Sequence, residues 1–254
     1  MVKSFGIWGL AALCMAGSVQ AAEPDTRVSD AVKSGDQTTV QQVLRTRADV
    51  NGVEPDGTTA LMWAVRANRL DLVRLLLKAG ANVRATNRYG VTPLTLAATN
   101  GDAPMAKVLL DAGADPHTAF PEGETVLMTA ARTGDPEVLR LLLDRGADVN
   151  AREGEMGETA LMWAATENHS DAVTLLIKRG ADLNARSNVL KFPKYLFNGS
   201  TMVSTPLPRG GMTALLLAAR EGAVDGVRSL VEGGANLNIT DPDGTTPLLM
   251  AIIN

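Results

Sequence analysis

Six stretches of this chain share one pattern: DGTTALMWA, YGVTPLTLA, EGETVLMTA, GETALMWAA, GGMTALLLA and DGTTPLLMA. Their glycines fall at Gly57, Gly90, Gly123, Gly157, Gly211 and Gly244, at intervals of 33, 33, 34, 54 and 33 residues. A second marker, GAN or GAD, recurs at Gly80, Gly113, Gly146, Gly180 and Gly234 with intervals of 33, 33, 34 and 54. A repeat of this length is one small unit that cannot bury its apolar face alone, so the units must stack into a solenoid. One interval is 21 residues too long. The excess coincides with NVLKFPKYLFNGSTMVSTPLPRG, which holds no acid in a chain of net charge −4.

Each unit reads as a turn, a short helix, a turn and a longer helix. Thr59, Thr92, Thr125, Thr159, Thr213 and Thr246 stand where a hydroxyl can accept from free amides at a helix start. The first helix is rich in alanine and suits close stacking. In LDLVRLLLKAG, Leu72, Val73, Leu75, Leu76 and Leu77 make one broad apolar face at helical period. Gly80 and its equivalents supply a left-handed residue to end that helix, with Lys78 and Lys178 near the negative end of the dipole.

GVTPLTLAA and LLLDRGADVN, recurring in register over about residues 26 to 254, resemble the ankyrin repeat family. The resemblance implies an all-α solenoid of helix-turn-helix units with β-turn or hairpin fingers, about six full units and a partial one. The implied domain, 22–254, has a capping unit at 25–55. Repeats follow at 56–88, 89–121, 122–155, 156–209 with an insertion at 187–209, and 210–242, then a partial unit at 243–254. In the capping unit Arg47 holds the slot of the terminating glycine. One departure is consistent. Where the family pattern has His after Thr-Pro-Leu, this chain has Met62, Thr95, Met128, Met162, Leu216 and Leu249. Hydrogen bonds that this His makes between repeats must be missing or replaced.

Residues 1–21 read as a signal peptide, with Lys3, an apolar run from Phe5 to about Gly17, and Val19 and Ala21 placed for cleavage before Ala22. The alternative, a lipid anchor at Cys14, is disfavoured by Leu13 beside it and the apolar residues after it. No later stretch approaches the roughly 20 apolar residues of a membrane span. The expectation is an exported, periplasmic protein with no integral membrane segment after cleavage. Cys14 is the only cysteine, so the mature chain relies on packing without thiol or disulfide. Without Lys3 the net charge is −5, which argues against a nucleic-acid-binding surface. At the other end, sequence stops after the first helix of its last unit, leaving the apolar Leu248 to Ile253 without expected cover. Read this way, the chain is a shortened piece of a longer protein, or a partner covers that end.

No residue set for catalysis is visible, and neither a cofactor nor a metal is implied. A Ser or Thr nucleophile needs a positioned base, and only His117 and His169 are available, 52 residues apart. His169 suits the turn between helices and His117 a finger loop; no zinc spacing is present. Glu153, Glu155 and Glu158 in REGEMGE read as a solvated finger tip, and Asp241 to Gly244 as turn chemistry without the ligand pattern of a calcium loop. Trp63 and Trp163, both in ALMWA, read as packing between units ahead of ligand contact.

What remains is binding. By the resemblance, a partner protein is contacted by residues flanking the turn glycine and by the end of the first helix. Here those include Arg66, Arg88, Tyr89, Glu122, Arg132, Glu158 and Arg220, with Thr99, Glu124, Met156, Glu167, Met212 and Glu221. The insertion adds Lys191, Phe192, Lys194, Tyr195 and Phe197 on one extended finger, while Pro193, Pro206 and Pro208 discourage a helix there. Two readings of its aromatics stand open: cover folded over the groove, or the anchor of a protein interface. A third, weaker one uses its cations on an anionic cell-envelope surface. Deleting Ser187 to Arg209 is expected to spare the stack.

Overall fold

A computed structural model describes residues 25–190 and 209–253. The expected signal peptide and Lys191, Phe192, Lys194, Tyr195 and Phe197 lie outside them. Helices come in pairs: α1 (Arg27–Ser34) with α2 (Gln37–Arg45), α3 (Ala60–Arg66) with α4 (Leu70–Lys78), α5 (Pro93–Thr99) with α6 (Ala103–Asp111), and α7 (Val126–Thr133) with α8 (Pro136–Asp144). Then follow α9 (Ala160–Thr166) with α10 (Ser170–Lys178), the strands β1 (Val189–Leu190) and β2 (Arg209–Gly210), α11 (Ala214–Arg220) with α12 (Val224–Glu232), and α13 (Pro247–Ile253). First helices pack in series from α1 to α13, and second helices form the other layer. The result is an all-α solenoid.

Local chemistry sets the helix starts. The hydroxyls of Thr59, Thr92, Thr125, Thr159, Thr213 and Thr246 each accept from the amide three residues on. Asp36, Asp102 and Asp135 do the same for α2, α6 and α8. Ala60, Ala64, Ala97, Ala98, Ala130 and Ala131 are fully buried, so the first helices approach closely; Leu72, Val73, Leu76, Leu139 and Leu142 fill the space beneath the second layer. In the first unit Arg47 takes the left-handed conformation, φ 58°, that glycine takes after α4, α6, α8 and α10.

The slot of the missing family histidine is filled mainly by packing. Met62, Met128, Met162 and Leu216 are buried there, and Thr95 closes a local capping box on the Thr92 amide at 2.8 Å. Bonds between units are made elsewhere. Asn51 Nδ2 donates to the Gly80 carbonyl at 3.2 Å while its Oδ1 accepts from the Asn82 amide at 2.7 Å. Asn150 repeats this with Gly180 and Asp182, and Arg84 Nε reaches the Gly113 carbonyl at 2.7 Å. At the opposite edge, Asn100 donates to Val65, Thr133 to Ala98, and His169 Nε2 to the Arg132 carbonyl at 3.0 Å.

His117 holds the Asn51 and Asn150 position in its own unit, yet its side chain makes no such bond among the described residues. His117→Asn should therefore add the missing tie. At about 1 kcal/mol for a net hydrogen bond, the urea midpoint should rise with an unchanged slope, and a midpoint at or below that of the parent would refute the assignment.

The long interval leaves the stack through a two-residue antiparallel stem, with Val189 opposite Gly210 and Leu190 opposite Arg209. Gly210 is required there, because its φ is 122° and a Cβ would lie 1.7 Å from the Asn188 carbonyl oxygen. The residues before the stem belong to the stack. Ser187 is buried, its amide donates to the Met212 carbonyl at 2.8 Å, and its hydroxyl accepts from the Met212 amide at 3.1 Å. Asn188 donates through its amide to Met156 and through Nδ2 to Glu155. On α13, Leu248, Leu249, Ile252 and Ile253 are exposed.

Candidate functional site

Because the units superimpose in sequence, a slot on one first helix recurs along the whole inner face. The fourth residue after the capping threonine is Trp63, Leu96, Thr129, Trp163 and Leu217; the seventh is Arg66, Thr99, Arg132, Thr166 and Arg220. Lys33, one period before Arg66, holds the seventh slot of the first unit. Cations at this slot sit at helix ends, where the dipole favours them.

The two tryptophans pack against the core with part of each ring open to the groove. Trp63 lies under two cations, with Lys33 Nζ 4.8 Å and Arg66 Cζ 5.5 Å from its centroid. Its Nε1 donates to Glu54 at 2.8 Å, and Glu54 also pairs with Lys33 at 2.5 Å. Trp163 lies under Arg132, 4.9 Å from its centroid, and Arg132 reaches Glu124 at 3.3 Å. In that unit Glu153 takes the Glu54 position, its amide bonding the Glu158 carbonyl as that of Glu54 bonds Thr58, and among the described residues Trp163 Nε1 is sealed from solvent without an acceptor.

On the fingers, the Arg88 guanidinium stands 4.8 Å from the Tyr89 centroid and donates to its hydroxyl at 2.6 Å, while the Arg88 amide binds the Asp56 carbonyl. Tyr89 is 56% exposed. The Thr58 amide and hydroxyl, then the charge of Arg88, hold the Asp56 carboxyl below its ordinary range. Glu122 is exposed, and its carbonyl accepts from Gly154 of the next finger.

The acidic finger corrects the solvated reading of Glu153. Its carboxylate is buried and accepts from the Glu155 amide at 2.7 Å and the Glu158 amide at 2.9 Å, closing the finger on itself. Glu158 is half-buried beside it. Burial and then the charge of Glu153 push the Glu158 carboxyl up, against the pull of Arg220. Glu155 alone of the three is exposed.

The structure thus brings Arg66 to Trp63, Arg132 to Glu124 and Trp163, Arg88 to Tyr89, and Glu158 into the field of Arg220. Lys33 and Glu54 were missed by sequence reasoning, although the 33-residue offset from Arg66 points to Lys33. His169 serves the contact between units, and His117 is exposed on its loop. Among the described residues no group of three His, Cys, Asp or Glu is placed to hold a metal ion, and no helix is long and apolar enough to cross a membrane.

Comparison with known proteins fits this geometry. The family model for ankyrin repeats in three copies matches residues 28–119 and 115–187, and that for a single ankyrin repeat matches 210–242. The ankyrin repeat domain of Bcl-3, described as a unique member of the IkappaB protein family, is 29% identical with a TM-score of 0.71, over 89% of this chain and 94% of that one. The human ASB11 ankyrin repeat domain is 24% identical with a TM-score of 0.70, over 88% of this chain and 90% of that one. No protein of curated function matches.

Proposed function

Since this chain belongs to the ankyrin repeat family, we propose that it is an exported, non-enzymatic binding protein that holds another protein against its inner face, with the long finger contributing. Ankyrin repeat domains generally mediate protein–protein interactions. The observation that carries the inner-face reading is the recurrence of Lys33, Arg66, Arg132 and Arg220 at one exposed slot, with Trp63 and Trp163 half-open beneath them. Aromatic and arginine side chains supply most hot-spot energy in protein interfaces. The finger enters the reading through its sequence, where Phe192, Tyr195 and Phe197 stand among Lys191 and Lys194. Export to the periplasm rests on the apolar leader and the small residues Val19 and Ala21.

Affinity capture from periplasmic extract tests the reading with three baits: the mature protein, an Arg66→Ala/Tyr89→Ala/Arg132→Ala variant, and a Phe192→Ala/Tyr195→Ala/Phe197→Ala variant. The inner-face variant should lose the partner, and the finger variant should hold it more weakly. A partner kept equally by all three baits would refute both contributions. Recovery of the processed chain from the cytoplasmic fraction would refute export.

A further inference from the structure

We infer that the partner reaches this inner face with an acidic extended segment, whose carboxylates are received by Arg66 and Arg132. The inference rests on the inner-face reading above and adds the chemistry of what binds there. Both arginines are exposed, and each guanidinium lies against an indole, Arg66 at Trp63 and Arg132 at Trp163. An arginine held on an aromatic face loses little freedom when its edge donors meet a carboxylate, and its planar fork suits a two-bond contact.

The charges around the pair point the same way. Arg66 makes no ion pair among the described residues, while Lys33 beside it is already committed to Glu54. Arg132 makes one ion pair among the described residues, to Glu124, whose Oε1 also accepts from the Thr129 hydroxyl at 2.8 Å. The macrodipole explains a cation at a helix end. It does not explain why Arg66 lies along an indole with no carboxylate paired to it among the described residues.

Geometry sets the spacing. Arg66 and Arg132 belong to units two apart, and adjacent packed helices are about 8–10 Å apart, so the two lie roughly 16–20 Å apart along the stack. An extended chain rises about 3.3 Å per residue, which places the two acids some five or six residues apart. Between them the slot residue is Thr99, exposed and uncharged.

The probe is a fluorescein-labelled nine-residue peptide of serine and threonine with glutamate at its second and eighth positions. Counterparts carry glutamine or lysine there, and binding is followed by anisotropy at low salt. The glutamate peptide should bind about tenfold tighter than the glutamine peptide, as hydrogen bonds to charged groups allow. Arg66→Gln and Arg132→Gln should each forfeit that preference. Arg66→Lys should forfeit most of it, since the charge stays and the fork goes. Arg74→Gln, on the exposed side of α4, should keep it. Equal binding of the glutamate and glutamine peptides, tighter binding of the lysine peptide, no binding of any, or an equal loss in Arg74→Gln would each overturn the inference. Should captured partner still depend on Arg66 and Arg132 while the peptides bind alike, the inner-face reading stands and the acidic segment falls. Partner capture that ignores both arginines overturns both.

Discussion

Leu139→Ala should lower the unfolding free energy by about 2–5 kcal/mol, the range for emptying a buried leucine site. Leu139 is fully buried in α8, the second helix of the fourth unit, and α8 packs on α6, α7 and α10. Stability in a stacked array is a sum of unit and nearest-neighbour terms, so a cavity in a central unit weakens the contacts on both sides of it. Leu248→Ala makes the contrast, because Leu248 is 72% exposed on α13 and its loss should stay within about 0.5 kcal/mol. Urea unfolding of both variants decides the matter. A Leu139→Ala midpoint indistinguishable from that of Leu248→Ala would show that the second-helix layer is not the core described above.

The second large effect separates two ways of removing the insertion. Cutting out 191–208 and joining Leu190 to Arg209 through Asn-Gly keeps the β1–β2 pair and gives it a two-residue hairpin turn. That variant should unfold within about 1 kcal/mol of the parent, since it removes no described contact. Cutting from Ser187 to Arg209 instead removes the Ser187 bonds to Met212 and the Asn188 bonds to Met156 and Glu155. At about 1 kcal/mol each, four such bonds amount to roughly 4 kcal/mol. The boundary drawn from the sequence would therefore injure the fold it was meant to spare. Equal melting of the two deletions would show that Ser187 and Asn188 are not structural.

That boundary marks where the sequence stops being legible. Threonine caps, terminating glycines and the alanine-lined first helices are local or periodic, and each could be placed from spacing, whereas Arg66 and Arg132 were singled out only through the family resemblance. Contacts between units could not. Asn51 meets Gly80 and His169 meets the Arg132 carbonyl only because stacking brings residues about thirty positions apart together. Glu153 reads as one more exposed acid in REGEMGE until the finger folds and two backbone amides claim its carboxylate. The insertion reads as beginning at Ser187, since composition changes near there, whereas hydrogen bonding changes only at the stem.

The asparagine ladder between second-helix loops has a mechanical side. Asn51, Arg84 and Asn150 bridge to the following unit, but among the described residues His117 makes no such bond, so the joint between the third and fourth units lacks a rung there and is held by other contacts, Thr133 to Ala98 and Arg145 to Asp111 among them. Arg66 and Arg132 stand on opposite sides of that joint. A ligand that spans them and prefers one setting of that joint acts as a splint: its affinity and the population of that setting are linked quantities, and whatever one gains the other gains equally.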